Sequence, residues 1–155
     1  MITDPEWSQL GEVINLICID AVKRIILRVG SYSDPVTLWS VDETFFFNRV
    51  ISIRYPQYKR GGSVTIPRDE AFIFGKTLRS KKDRHVIPKH GGREITFVSW
   101  LVDCWTDDDD IILDPFCGTG VTAEACERLG RKWIGIEIEK QACDETIMRL
   151  TRLKS

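Results

Sequence analysis

Apolar and polar positions along this chain follow two periods, one of about two and one of about 3.6 residues, and together they predict an α/β succession of elements. Met1–Asp4 forms a short strand, and Ser8–Lys23 a helix with Leu10, Val13, Ile14 and Ile17 on one face. Ile25–Gly30 is a second strand, ended by the turn-rich G-S-Y-S-D-P. Thr44–Ile53 (T-F-F-F-N-R-V-I-S-I) and Glu70–Gly75 are further strands. Glu94–Trp105 is an amphipathic helix that turns Ile95, Val98, Leu101 and Val102 inward. The acidic run Asp107–Asp110 is a solvated turn, because four adjacent carboxylates are costly anywhere but in water.

The most informative stretch follows that turn. Ile111, Ile112 and Leu113 make a buried strand, Asp114 stands where the strand ends, and P-F-C-G-T-G leads into a helix. Gly118 and Gly120 carry no Cβ, so the backbone can come close to a ligand there. The helix V-T-A-E-A-C-E-R-L starts near Val121 and is stopped by Gly130. Arg131–Lys140 is expected to be a second strand, with Trp133, Ile134, Ile136 and Ile138 as its apolar content.

A doubly wound α/β sheet builds a nucleotide crevice in this way, and an acid about 20 residues further on then meets ribose hydroxyls. Glu137 lies 23 positions after Asp114. A carboxylate can accept two hydrogen bonds from a vicinal diol. Glu139 shares the expected strand face and competes; Glu137 is preferred because it follows the G-I step. The loop is no phosphate cradle, since neither G-x-x-x-x-G-K-[ST] nor G-x-G-x-x-G is present. An acid at its head repels pyrophosphate and attracts a ligand bearing an ammonium and a sulfonium. S-adenosylmethionine has both. The cofactor-binding set is therefore Asp114, Phe116, Cys117, Gly118, Thr119, Gly120 and Glu137, with Cys117 expected to pack rather than react.

D-P-F-C-G-T-G-V-T followed by W-I-G-I-E-I-E resembles the cofactor motif of DNA amino-methyltransferases, in particular the permuted subgroup whose catalytic motif precedes the cofactor motif. The resemblance is strong over residues 105–153 and loose over 1–104. It implies a Rossmann-like methyltransferase fold: a mostly parallel central sheet with one antiparallel strand, helices on both faces, and Thr44–Ile53 with Glu70–Gly75 as the antiparallel pair. It also implies a D/N/S-P-P-Y/F/W tetrad near the start, where the chain reads D-P-E-W. Asp4, Pro5 and Trp7 match; Glu6 replaces the second proline. In such a tetrad the Asp4 carboxylate and Pro5 carbonyl accept the two protons of an exocyclic amino group, adenine being favoured over cytosine. Trp7 stacks on a base turned out of the duplex. Relatives carry a further segment ahead of the tetrad, so an edge strand is expected to be missing. A homodimer or partner subunit that completes the cofactor site would follow.

Charge adds a partner. Residues 49–93 hold 12 Lys/Arg against three acids, whereas the net charge of all 155 residues is −1. So uneven a distribution presents phosphate-binding charge on one side. Arg54, Lys59, Arg60, Lys81, Lys82 and Arg84 are the DNA-binding candidates, with Tyr55 and Tyr58 interleaved. The expected organisation is one methyltransferase-like domain, 1–155, with a catalytic half (1–76), a short basic recognition segment (77–94) and a cofactor half (95–155). Five cysteines without C-x-x-C spacing predict a reducing, cytoplasmic setting and no metal. No apolar run reaches the ~18 residues of a membrane span. Glu6 keeps two alternatives open: a reduced subunit or decoy that binds S-adenosylmethionine or DNA without transfer, or a methyltransferase acting on RNA or a nucleotide.

Overall fold

The computed structural model describes residues 2–3, 16, 22–29, 46–61, 64–75 and 93–154. The chain divides into two compact units, Met1–Thr77 and Leu78–Ser155. The first contains β1 (Ile2–Thr3), β2 (Arg24–Val29), β3 (Phe47–Gly61) and β4 (Val64–Gly75). The second contains α1 (Arg93–Trp105), β5 (Ile111–Asp114), α2 (Val121–Leu129), β6 (Lys132–Gly135) and α3 (Lys140–Leu153). The helix expected over Ser8–Lys23 falls outside the described residues except at Leu16, which is helical, and at Val22 and Lys23, which are not.

In the first unit the strand order is β1-β2-β4-β3. β1 runs parallel to β2 (Ile2↔Ile26, Thr3↔Leu27), while β4 is antiparallel to both β2 and β3. Ile25, Ile26 and Leu27 are all buried, as are Ala71, Ile73 and Phe74 on β4. A continuous apolar run of this kind suits a strand covered on both faces. β3 and β4 are longer than their apolar patterning predicts. β2 pairs with β4 only over residues 70–75, so residues 54–61 and 64–69 continue past it as a two-stranded ribbon. Pro56 and Pro67 obscured this extension. Both fall at the register shift between Arg54 and Lys59, where a residue without an N–H is tolerated.

The second unit is organised around α1, α2 and the parallel pair β5–β6, in register from Ile111↔Lys132 to Asp114↔Gly135. Phe97, Val98, Leu101 and Val102 bury one face of α1, with Phe97 taking a place not expected of it and Ile95 only half-buried. Thr122–Cys126 bury most of α2. α2 ends at Gly130 (φ 66°), where the N–H groups of Gly130 and Arg131 return to the carbonyls of Glu127 and Cys126.

The acidic run is a turn closed by its own bonds. Asp107 N–H donates to Asp110 Oδ2 (2.9 Å), and Asp110 N–H to the Asp107 carbonyl (3.1 Å). It is not only solvated: Arg131, almost fully buried, pairs with Asp108 (2.8 Å) and also donates to Thr106 Oγ1 (3.3 Å) and the Leu129 carbonyl (3.2 Å). This guanidinium ties the turn before β5 to the turn before β6. Arg131→Ala is expected to cost about 1–3 kcal/mol in urea unfolding, because buried acceptors lose their donors. Asp108→Asn, at an exposed carboxylate, should cost under about 1 kcal/mol. Equal losses would show the pair itself, not the buried guanidinium, to be the stabilising element.

The largest departure from expectation lies at the C-terminal side. The strand stops at Gly135, with pairing carried one residue further by Ile136 N–H to the Asp114 carbonyl and Cys117 N–H to the Ile136 carbonyl, both 2.9 Å. Residues 137–139 then turn, and α3 follows where strand had been expected to persist to Lys140. Lys140–Asp144 and Gln141–Glu145 support α3 at i,i+4 spacing.

Candidate cofactor site

The loop between β5 and α2 is held on two sides. Asp114 is buried at the carboxyl end of β5, and its Oδ1 accepts the N–H of Phe116 (3.1 Å). That bond folds the side chain over its own turn and fixes the start of the loop. Gly118 and Gly120 both adopt positive φ (52° and 78°), a region that side chains with a Cβ rarely enter. Gly120 is also needed for space: a Cβ there would stand 2.6 Å from Thr146 Cγ2.

Glu137 is the acid brought to the loop. Its Oε2 accepts the Gly118 N–H (2.8 Å), and its Oε1 accepts the N–H groups of Ile138 (2.7 Å) and Glu139 (2.8 Å). The two glutamates therefore do not share a strand face; the carboxylate of Glu137 ends the strand by capturing the next two amides. A carboxylate offers about four acceptor positions, so three are filled by backbone and one remains, on Oε2. A ribose hydroxyl has room for one bond there, rather than the two expected of an unengaged carboxylate.

The Glu139 amide, followed by those of Gly118 and Ile138, holds the Glu137 carboxyl below its ordinary value of 4.5 against an opposing effect of burial. A depressed folded value means the latch contributes fully above the unfolded value and is lost as pH falls through the folded one. The stability advantage of the native protein over Glu137→Gln is therefore expected to shrink between about pH 5 and 3. A difference constant across that range would remove Glu137 from the latch.

Residues that sequence patterning missed support the loop from behind. Thr146 Oγ1 donates to the Gly118 carbonyl (3.0 Å), and Arg149 Nε to the Thr119 carbonyl (2.8 Å). Arg149 also pairs with Glu124 Oε2 (2.7 Å), whose other oxygen takes Arg128 (2.6 Å). Burial pushes the Glu124 carboxyl up, but the hydrogen bonds from Arg149 and Arg128 outweigh it and hold it below the ordinary value. A glutamate in the first turn of α2 also suits the positive end of the helix dipole.

Cys117 is buried; burial, then the charges of Asp114 and Glu137, push its thiol up to about 11. It packs as a neutral group, and Cys126, pushed to about 12 chiefly by burial, does the same. Phe116 and Thr119 are half-buried within the loop. Arg54, Lys59 and Arg60 lie on the extended part of β3, placed by backbone register opposite Arg68, Ile66 and Thr65. Asp4, Pro5 and Trp7, and Lys81, Lys82 and Arg84, lie outside the described residues. No helix among the described residues is long and apolar enough to cross a membrane.

Residues 96–148, which include the loop 114–120, Glu137 and Thr146, match the family model of a DNA methylase. The type II methyltransferase M2.LlaDCHI of Lactococcus lactis subsp. cremoris is 56% identical over 136 residues, covering 87% of this chain and 45% of that protein. The chain spans less than half the length of the curated relatives it matches. Among solved structures, a complex of M1.HpyAVI with SAM aligns with a TM-score of 0.77 at 20% identity, over 96% of this chain and 86% of that one. The cytosine-N4-specific PvuII DNA methyltransferase aligns with a TM-score of 0.66 at 16% identity, over 96% and 77%. These likenesses establish the Rossmann-like methyltransferase fold. Over residues 96–148 the chain is thus similar to the DNA methylases, and over most of its length to a type II methyltransferase.

Proposed function

We propose that this protein transfers a methyl group from S-adenosylmethionine to the exocyclic amino group of a DNA base, adenine in preference to cytosine. The observation that carries this reading is the loop 114–120, with a buried acid at its head and the Glu137 carboxylate latched across its middle. The residues fit the cofactor. Asp114 supplies negative charge for a sulfonium or ammonium, Glu137 keeps one acceptor position for a hydroxyl, and half-buried Phe116 offers an apolar surface. When bound, the cofactor supplies an electrophilic methyl on sulfur.

The chain's own work is to hold and prepare the acceptor. An exocyclic amino nitrogen is a poor nucleophile because its lone pair is conjugated into the ring. Asp4 and Pro5, immediately after β1, take its two protons in hydrogen bonds and favour a tetrahedral nitrogen. Once methylated, the amino nitrogen would give up its surplus proton to Asp4 or water. In-line positioning supplies most of the acceleration. The loop's place at the carboxyl end of β5, which runs parallel to β6, supports the cofactor half of the assignment, since ligands of open α/β sheets bind at such ends.

DNA is the preferred acceptor because the ribbon formed by β3 and β4 carries Arg54, Lys59 and Arg60, and a two-stranded ribbon is of a size the major groove admits. Lys81, Lys82 and Arg84 extend the basic sequence beyond it. A second reading, cofactor or DNA binding without transfer, is favoured by Glu6, which replaces the tetrad's second proline with a charge next to Pro5 in the sequence. Incubation with methyl-labelled cofactor and unmethylated duplex DNA, RNA or free nucleotide separates the readings. Label in an amino-methylated deoxynucleoside supports the first. Label confined to RNA or nucleotide changes the acceptor, and binding without label in any of the three establishes the second.

A further inference from the structure

We propose that α3 sets the direction of the loop's peptide groups, with Arg149 and Thr146 as positioning residues for the cofactor; this rests on the cofactor reading above. Two successive carbonyls at the loop tip, those of Gly118 and Thr119, point to α3 and accept Thr146 Oγ1 and Arg149 Nε. A trans peptide is planar, so its N–H points opposite to its carbonyl. Turning the Gly118 carbonyl to α3 therefore turns the Thr119 N–H away from it. Turning the Thr119 carbonyl likewise directs the Gly120 N–H away, where it meets the Cys117 carbonyl at 2.9 Å and closes the turn. The Thr119 N–H has no acceptor among the described residues. It is a backbone donor held on the side opposite α3, suited to an acceptor oxygen or nitrogen of the ligand.

Three features make this orientation specific. Glu124 is buried and engages both Arg128 and Arg149, so one edge of the Arg149 fork is fixed while Nε reaches Thr119. A lysine could hold the charge pair or the carbonyl, but it lacks the planar fork that serves both in one geometry. Gly120, with no Cβ, lets Thr146 approach closely enough to reach the preceding carbonyl. Without these donors both carbonyls are free to rotate, and a rotated Gly118 carbonyl would face the ligand with the wrong end of its dipole.

The test uses the whole chain with Arg149→Gln, Arg149→Lys and Thr146→Val. S-adenosylmethionine affinity is measured by calorimetry well below each variant's unfolding midpoint, and amide exchange is followed at Gly120 and Arg131. Arg149→Gln is expected to weaken binding by about tenfold or more, with Arg149→Lys intermediate, because small displacements of a positioning group are costly. Gly120 exchange should accelerate by a similar factor while Arg131, bonded to the Cys126 carbonyl, stays protected. A merely structural role would lower the unfolding midpoint and leave both readouts unchanged. Native binding with all variants within twofold overturns the proposal. If the native protein binds no cofactor, the cofactor reading fails separately, and unchanged Gly120 exchange still overturns the clamp. Should Arg149→Gln not fold, Thr146→Val, which keeps shape and removes only the hydroxyl, decides the matter by the same two readouts.

Discussion

Gly120→Ala is expected to destabilise the protein by about 2–5 kcal/mol and to weaken cofactor binding with it. Two costs combine. A residue with a Cβ at φ 78° is strained by about 1–2 kcal/mol. The new methyl would also stand 2.6–3.0 Å from three atoms of the Thr146 side chain, an overpacking cost of about 1–3 kcal/mol. Threonine is short and branched, so α3 or the loop must move, and either movement breaks the Thr146–Gly118 bond. Gly118→Ala is the control: its φ is also positive, but a Cβ there meets nothing within 4 Å. It should cost only the backbone strain, about 1–2 kcal/mol. Urea unfolding of both variants checks the contrast, and Gly120→Ala combined with Thr146→Ala should recover part of the loss. Equal costs at the two glycines would mean that α3 does not press on the loop.

Asp4→Ala is expected to reduce methyl transfer by about 10²–10³-fold, the scale for removing a polar group that acts in the transition state. Cofactor affinity should be unchanged within about twofold, because Asp4 is assigned to the amino group and not to the methyl donor. Single-turnover transfer with calorimetric affinity measures both quantities. Transfer that survives in Asp4→Ala would place the acceptor chemistry elsewhere in the chain. A parallel loss of affinity would make Asp4 part of the cofactor site.

Much of the second unit was legible in the sequence because local chemistry specifies it. An apolar run ending in Asp114, two glycines two residues apart and Gly130 at a helix end each require a particular backbone conformation. Ile111–Asp114 and Val121–Leu129 follow closely in their bounds, although of the strand expected to be buried only Ile112 is fully so, Leu113 being half-buried and Ile111 exposed. Glu137 was legible by its offset, although its engagement by three amides was not. The α3 helix escaped because none of its residues is buried, so its apolar positions make a weak pattern beside the stronger W-I-G-I-E-I strand signal. Arg149 and Glu124 escaped for a different reason. Their pairing joins residues 25 apart and Arg149 meets Thr119 across 30, contacts that arise only when α3 docks. The longer β3–β4 ribbon was hidden by two prolines that strand patterning counts as breakers and a register shift absorbs.

The central claim is that the loop from Asp114 to Gly120, latched by Glu137, is a methyl-donor site. Calorimetric titration of the whole chain with S-adenosylmethionine, and separately with ATP and NAD, tests it most directly. The expected result is saturable binding of S-adenosylmethionine, weakened by about tenfold or more in Asp114→Asn and in Glu137→Ala, with no comparable binding of either pyrophosphate-bearing nucleotide. Binding of ATP or NAD in preference to S-adenosylmethionine, or S-adenosylmethionine binding indifferent to both substitutions, would contradict it.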